Sequence, residues 1–569
     1  MEIAIIDQLK LVDKVTVRKD IFAGLTVAVM LIPQGLAYSL LAGMPPIYGL
    51  YAGFIPLLIY PIFGSSRHMS VGPVALTSIL VFSGISAYAQ PGTELFIQLA
   101  LLTAFVAGGL QLIFSALKMG FLVNFLSMPV ISGFTSAAAI IIAAGQLKYL
   151  FGLEIERTDN VILTIYELLA KITDVNPFDV LLGGVSLAFI MFIKSVNRFI
   201  PGALIAVILG TLATYFFHLT DEAVEVVGKV PEGLPSFAVP AITVENIFDV
   251  FPTALSISLI SFIGSLAIAK TISARNNHYP INANQELFAL GIAQSLSAFF
   301  QGFPGMGSFT RSAVNDEVGA QTGFASIFAA VFIGLIMLFF TKFFFFLPNS
   351  ILAAVVLSAV FGLIEIKNSI RLFKLDRRDF YSLIATFLLT LVLGVQIGVF
   401  AGIGLSILLI IYKAAHPHYA FLGRIQGTST YRNIKRFSDL DIHDNSIILR
   451  YDSDLFFANA KHFYDTVIDA IRTRPQVKVF ILDASSIAHL DSTAIHYMEL
   501  LITELKQAGI AFYVSGLKGP VRDIFHKAGI NQKLPFQHQF LNIEDAMKYF
   551  EKEEAEQEKK IYVQQRNIE

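Results

Sequence analysis

Runs of about twenty apolar residues recur between Ile21 and Ala414, and each is the length a helix needs to cross ~30 Å of hydrocarbon. Nothing constrains such a chain more, because inside lipid every backbone amide must be paired within the segment, so the runs have to be helices. The composition agrees: 55% of residues are hydrophobic, 15% are charged and the mean hydropathy is +0.66, far from a soluble globular domain. The chain is expected to be a multi-pass integral membrane protein. Spans are placed at about 21–43, 47–63, 73–88, 97–117, 121–146, 178–197, 200–217, 253–274, 286–303, 308–316, 323–347, 349–364, 379–396 and 397–414, fourteen in all. From His416 to Glu569 charged and polar residues separate short apolar runs, the pattern of a soluble module. The expected organisation is an N-terminal segment at 1–20, a transmembrane domain at 21–414, a linker at 415–437, a soluble domain at 438–552 and a charged tail at 553–569.

Charge sets the orientation. Lys10, Lys14, Arg18 and Lys19 precede the first span, and Lys367, Arg371, Lys374, Arg377 and Arg378 lie between the twelfth and thirteenth. Both groups share one side if the twelve intervening spans are counted correctly; one miscounted span would place them on opposite faces. The loop His218 to Phe251 carries Asp221, Glu222, Glu225, Glu232, Glu245 and Asp249 against Lys229 alone, and falls on the other side. The positive-inside rule then puts both termini in the cytoplasm, with a bacterial inner membrane as the expected location. The opening MEIAIIDQLKLVDKVTVRKD lacks a signal-peptide layout, so the first span is expected to be retained. A net charge of −2 offers no basic field for nucleic acid. No Cys is present, which removes disulfides and thiolate metal sites, and Trp is also absent. There is no Walker loop, metal-ligand cluster or nucleophile with a paired base, so neither an enzyme nor a cofactor or metal is expected.

Two stretches interrupt the apolar pattern, SSRHMSVGPVALTSIL at Ser65–Leu80 and GFPGMGSFTRSAV at Gly302–Val314. They lie about 235 positions apart, as do the starts of the first and eighth spans near Ile21 and Thr253, which suggests an internal repeat. Seven spans is an odd number, so the two copies must be inverted. Gly72 and Pro73, and Gly302, Pro304, Gly305 and Gly307, are expected to end extended segments after which short helices start partway through the membrane at Val74 and Ser308. Such starts offer free N–H groups and positive dipole ends to an anion. Ala75, Thr77, Ser308 and Thr310 are small or hydroxyl-bearing and leave room for it. Arg311 adds a fixed positive charge; a position at the cytoplasmic mouth is the other reading of it. Simple kinking for packing is the other reading of the breaks. In the first span Pro33 should bend the helix, and Gln34 and Tyr38 share a face from which both can donate to a ligand or bond a neighbouring helix.

These stretches carry a resemblance. LIPQGLAYSLLAGMPPIYGLYAGFIPLLIYPIFGSSRHMSVGPVALTS closely resembles the signature region of the SulP family of sulfate and anion transporters, NQELFALGIAQSLSAFFQGFPGMGSFTRSAVN resembles its ninth and tenth spans, and GVQIGVFAGIGLSILLIIYKAAHP its last. The resemblance covers nearly the whole chain. It implies an all-α polytopic membrane domain of fourteen spans in a 7+7 inverted repeat of the uracil-permease type, divided into a mobile core domain and a gate domain. A cytoplasmic α/β STAS domain follows, and homodimers are usual. By position, the family's anion site falls on Gln34, Tyr38, Val74, Ala75, Ser308 and Phe309. Family substrates include sulfate, bicarbonate, chloride, oxalate and dicarboxylates. One departure stands out: many proton- or sodium-coupled members carry an acidic residue in the eighth span where SLISFIGSLAIAK places Gly264, and no Asp or Glu lies between Ala254 and Ala274. Coupled symport is therefore in doubt, and uncoupled transport or exchange gains. Asp316 and Glu317, near the end of the tenth span, read as solvated loop residues.

In the soluble module, SIILRY, a helical stretch after Asn459, KVFILDAS, HLDSTAIHYMELLITELKQAG, AFYVSGL and GPVRDIFHKAGI alternate strand and helix, an α/β layer. It is similar to a STAS domain, whose bacterial relatives are phosphorylated on a loop like DSTA. Asp483, Asp491, Ser492 and Thr493 occupy that region, and Ser492 reads equally as an N-cap with Thr493 in the first turn. The tail reads as a solvated helix with a frayed end. The leading expectation is a secondary transporter of sulfate or a related inorganic anion, working by elevator-like alternating access with the anion between the third and tenth spans. The alternatives are a bicarbonate, chloride or dicarboxylate exchanger using the same site, and a membrane-anchored sensor that signals through the STAS domain, with a regulatory partner there. A nucleobase permease is disfavoured by Arg311.

Overall fold

Asp13 starts the first long helix: its carboxylate accepts the Thr16 N–H at 2.7 Å, and the chain stays helical from Lys14 to Leu41 with Pro33 inside. The computed structural model describes residues 4–9, 12–121, 127–155, 161–197, 200–219, 224–276, 279–364 and 366–566. Lys10, Asp221 and Glu222 lie outside the described residues. In chain order the first elements are α1 (Ala4–Leu9), α2 (Lys14–Leu41), α3 (Ile47–Phe63), β1 (Val71–Gly72), α4 (Ala75–Ile85), α5 (Glu94–Ala116), α6 (Met128–Phe151), α7 (Val161–Ala170), α8 (Pro177–Val196) and α9 (Gly202–Phe216). There follow α10 (Val244–Arg275), α11 (Ala283–Phe299), β2 (Met306–Gly307), α12 (Phe309–Glu317), α13 (Phe324–Phe339), α14 (Asn349–Val360), α15 (Ile366–Leu375), α16 (Arg377–Leu393) and α17 (Val395–Ala415). A helix overlies each of the fourteen expected segments. Six of these helices, α2, α5, α6, α8, α10 and α17, are each long and apolar enough to cross a membrane alone. Three others, α1, α7 and α15, have no counterpart among the expected spans, being too short or too charged to register as apolar runs.

Glycines let the helices touch backbone to backbone. A Cβ at Gly49 would sit 1.8 Å from the Gly35 carbonyl oxygen, so α3 crosses α2 where neither has a side chain. The same device joins α5 to α11, where a Cβ at Gly291 would lie 2.9 Å from Gly108 O. Beside that crossing runs a buried polar network: Gln111 Nε2 donates to Ser261 Oγ at 2.7 Å, and Gln294 Nε2 donates to Gln111 Oε1 at 3.0 Å, while Gln294 Oε1 has no partner among the described residues. Between apolar helices such bonds act as glue, because the alternative is an unsatisfied amide in hydrocarbon.

The two interruptions meet. β1 and β2 pair antiparallel with Val71 opposite Gly307 and Gly72 opposite Met306. A shift of 235 positions carries Val71 to 306 and Gly307 to 72, so it turns one pair into the other, as an inverted repeat with a two-fold axis through the ribbon requires. The ribbon's backbone is further satisfied by Ser308 N donating to Ser70 O at 2.9 Å, Ser70 N to Ser312 Oγ at 2.9 Å and Gly307 N to Ser265 Oγ at 2.9 Å.

The chain divides into two compact units, Met1–Ser406 and Ile407–Glu569. The second holds β3 (Tyr419–Ile425), β4 (Tyr431–Asn433), β5 (Leu440–Asp441), β6 (Ser446–Tyr451), α18 (Ala460–Arg472), β7 (Val479–Asp483), α19 (Ser492–Gln507), β8 (Ala511–Ser515), α20 (Gly519–Lys527), α21 (Ile530–Lys533), β9 (Gln539–Phe540) and α22 (Ile543–Arg566). Its sheet runs β4-β3-β6-β7-β8-β9, parallel from β6 to β9 and antiparallel at β3 and β4, with β5 on β3. One face packs under α18, α19 and α20, and the other under α22. Two readings change here. The stretch 415–437, read as linker, supplies β3 and β4, because Tyr419, Phe421 and Tyr431 have sheet faces to cover. The stretch from 553 begins as docked helix: Tyr513 donates to Glu553 at 2.8 Å and Lys478 to Glu554 at 2.6 Å.

Candidate functional site

Two half-helices start at the β1–β2 ribbon. Val74, extended at φ −142°, precedes α4, and Ser308, extended at φ −98°, precedes α12. The N–H groups of Ala75, Leu76 and Thr77, and of Phe309 and Thr310, have no acceptor among the described residues. The Arg311 N–H reaches Ser308 Oγ at a long 3.5 Å. Two starts with unpaired donors make a region of positive potential with backbone edges open to an acceptor.

Arg311 joins them. Its side chain is fully buried, with Nε donating to Ser70 Oγ at 3.2 Å and Nη1 donating to Gln34 Oε1 at 3.1 Å and to the Pro73 carbonyl at 3.2 Å. Pro73 immediately precedes Val74, the N-cap of α4, so a guanidinium from the first turn of α12 touches the base of the other half-helix. Its Nη2 has no partner, and a Cβ at Gly72 would stand 3.3 Å from it. No ion pair to Arg311 is formed among the described residues. Arg311 is thus buried between the two half-helix starts rather than exposed at the surface. A buried unit charge without a counter-charge costs several kcal/mol in real proteins. An anion at the free Nη2 edge would relieve that cost.

The remaining expected residues surround this group. Gln34, half-buried on α2, spends its amide oxygen on Arg311, and its N–H groups have no acceptor among the described residues; Tyr38, one turn on, is 5% exposed with its hydroxyl unpartnered among the described residues. Ala75 and Ser308 are buried, Val74 is half-buried, and Phe309 and Thr310 are exposed. Gly264 lies on α10 facing the ribbon: a Cβ there would meet Met306 Cε at 2.3 Å, so the methionine occupies the space a side chain at 264 would need.

Sequence reasoning missed the residues that hold these in place. Ser70, the Pro73 carbonyl and Ser265 complete the shell of Arg311 and the ribbon, and Glu286, fully buried, accepts from Tyr60 OH at 2.7 Å and from Ser65 N at 2.7 Å, clamping the loop that leads to β1. Ser70 lies inside the interrupting stretch, but its direction depends on a partner 241 positions away. Asp316 is a correction. It is no solvated loop residue: it closes α12, accepts from Asn276 Nδ2 at 2.6 Å, lies 4.0 Å from His68 Nε2 and exposes only 13% of its side chain. His68 is itself buried, with Nδ1 3.1 Å from Tyr279 OH and Nε2 3.0 Å from Ala320 O.

In the second unit Asp491, not Ser492, is the N-cap of α19. Its Oδ1 accepts from Ala494 N at 2.8 Å and its Oδ2 from Phe457 N at 2.7 Å. A carboxylate that serves two backbone donors outcompetes a neighbouring hydroxyl for the cap, leaving Ser492 exposed in the first turn and Thr493 after it. Asp483 ends β7 and accepts from Ser485 N at 3.1 Å.

A model of the Sulfate permease family matches residues 17–386, and a STAS domain model matches 438–546. The chain belongs to the sulfate permease family. It is a multi-pass membrane protein and an anion transporter of that family, not an enzyme. Among its relatives, "Sulfate transporter 4.1, chloroplastic" of Arabidopsis thaliana is 36% identical over 93% of this chain and 79% of its own length. A "Probable sulfate transporter" of Mycobacterium tuberculosis is 31% identical over 94% and 95%. In fold, this family member resembles the murine anion transporter Slc26a9 in its inward-facing state, with a TM-score of 0.88 over 96% of this chain and 93% of that one at 23% identity. The transmembrane domain of a cyanobacterial bicarbonate transporter, BicA, matches with a TM-score of 0.61 over 69% of this chain and 98% of that one, also at 23% identity.

Arg311 gives the first test. Charge-assisted hydrogen bonds contribute about 1.5–3 kcal/mol, so Arg311→Gln should weaken anion affinity by roughly 10- to 150-fold. Arg311→Lys keeps the charge without the planar fork and should fall between. Anion titration of the purified proteins, with melting as the folding control, measures this; equal affinities in all three would assign Arg311 to the fold alone.

Proposed function

We propose that this sulfate permease carries sulfate, or a related inorganic anion, across its membrane by an elevator-like alternating-access movement, with the anion held between the N-termini of α4 and α12. The observation that carries the reading is Arg311: a buried guanidinium at the junction of two helix starts, with one free edge and no carboxylate in contact among the described residues. In this reading the anion accepts from Arg311 Nη2, from the free N–H groups at Ala75–Thr77 and Phe309–Thr310, and from Gln34 and Tyr38. Val74, Ala75 and Ser308 keep the walls small enough for that approach. Sulfate is the first choice because the relatives that cover nearly all of the chain carry that name. Exchange of bicarbonate, chloride or a dicarboxylate through the same site is the second reading, supported by Gly264, where no carboxylate is present to move a proton.

The working form is a homodimer with both termini cytoplasmic, in a bacterial inner membrane. Counterflow in proteoliposomes with a panel of radiolabelled anions and uracil tests the function. Sulfate-stimulated counterflow is expected, bicarbonate, chloride or dicarboxylate counterflow without sulfate would select the second reading, and uracil alone would overturn both.

The STAS unit lies outside the chemistry of the site, since every proposed ligand precedes Val314. It acts on rate, assembly or a regulatory partner, with Asp491, Ser492 and Thr493 as the regulatory surface. Truncation after His416 should therefore lower the transport rate or the dimer fraction and leave the order of anion preference unchanged. Competition of labelled uptake by unlabelled anions in full-length and truncated protein checks this, and a reordered series would contradict it.

A further inference from the structure

The ten residues of α15, IKNSIRLFKL, sort by side. Ile366, Ile370 and Phe373 follow an i, i+4, i+7 spacing and are 65%, 54% and 47% exposed. Lys367, Arg371 and Lys374 repeat that spacing one residue on; all three are exposed, and none forms an ion pair among the described residues. Leu372 takes the half-buried side. The helix contains no Asp or Glu. One uncovered stripe is therefore apolar and its neighbour, about 100° around the helix, is cationic.

No single solvent suits both stripes. Water leaves the first hydrated, and hydrocarbon rejects the second. The boundary of a bilayer accommodates both, with apolar side chains at acyl depth and cations among headgroups. Lys367 and Arg371, four apart, also repel each other along the helix, and neighbouring anions relieve this where zwitterions carry no net charge to do so. We infer that α15 is a docking surface for anionic phospholipid headgroups. The helix is anchored for that role: Phe373 meets Phe380 of α16 edge-on at 5.0 Å, and the Arg377 guanidinium lies 5.8 Å from the Phe373 ring centroid. Lipid charge therefore fixes the depth of the connection between α14 and α16, the latter packed along α6.

The absence of tryptophan makes the test direct. Phe373→Trp in the full-length protein introduces a lone fluorophore, which is reconstituted with brominated phosphatidylglycerol or brominated phosphatidylcholine at equal mole fraction. A cation near an anionic surface contributes about fivefold in local preference. At least a fivefold preference for the brominated anionic lipid is expected, falling on addition of salt and lost on adding Lys367→Gln, Arg371→Gln and Lys374→Gln together. Equal quenching by both lipids with the cations intact overturns the headgroup assignment, as does a preference that survives their removal. Quenching by neither overturns the interfacial placement. Ile370→Trp repeats the measurement on the same stripe without disturbing the Phe380 contact.

Discussion

Ser308→Glu should abolish anion uptake in a protein that still folds and inserts. The position tolerates an acid structurally, because a carboxylate at a helix start interacts favourably with the dipole, by about 0.3–1 kcal/mol. Functionally the same charge is ruinous in the proposed site. It would stand beside the free N–H groups of α12 and compete for Arg311, whose backbone N–H already reaches Ser308 Oγ. Two unit charges 4 Å apart at an effective dielectric of 20 repel by about 4 kcal/mol, which is roughly a thousandfold in affinity for a monovalent anion and more for a divalent one. Ala75→Glu should do the same from the other side, since Ala75 is buried as the first residue of α4. Ser308→Ala removes only one oxygen and should cost little. Uptake into proteoliposomes, read beside size-exclusion behaviour and melting, checks the set. Normal uptake by folded Ser308→Glu would remove the start of α12 from the mechanism.

The periodicity that makes a membrane helix is visible in one dimension, which is why a helix overlies every apolar run and why α3 occupies the expected 47–63. Meeting of the two interruptions was also legible, because an offset common to two pairs of segments is a statement about symmetry, and the register of Val71 with Gly307 obeys it. What the sequence did not disclose is direction. Arg311 could turn to the mouth or inward, and the choice is made by Ser70, Gln34 and Pro73, acceptors 238 to 277 positions away. Asp316 misled for the same reason: an acid at a helix end reads as solvated until Asn276 and His68 are brought beside it. Ser492 lost the cap to Asp491 because Phe457, distant in sequence, supplies a second donor to that carboxylate. Short amphipathic helices such as α15 escaped since a reading tuned to long apolar runs passes over charged ones.

Inward anion flux should show little dependence on an imposed proton or sodium gradient, and a trans anion should accelerate it. A proton-coupled carrier needs a group near the substrate whose protonation changes with orientation. At Gly264 there is none, and the space beside the ribbon is filled by the Met306 thioether, which does not titrate. Of the two acids on the same half-helix as Arg311, Asp316 and Glu317, the nearer, Asp316, lies seven residues past Phe309, about 10 Å along α12 at 1.5 Å per residue. It already accepts from Asn276 Nδ2 at 2.6 Å, a local hydrogen bond away from the proposed anion position. In the proposed site Arg311 would then depend on the substrate for its counter-charge. An empty carrier would have to move that uncompensated buried cation through its cycle, at a cost of several kcal/mol that a bound anion removes, which favours exchange over net transport. Reconstituted protein decides it, with the membrane potential clamped and no anion substrate inside. Strong accumulation driven by an inward proton gradient alone would sink the idea. If Asp316→Asn or Glu317→Gln then abolished that accumulation, the coupling group would be identified at the far end of α12.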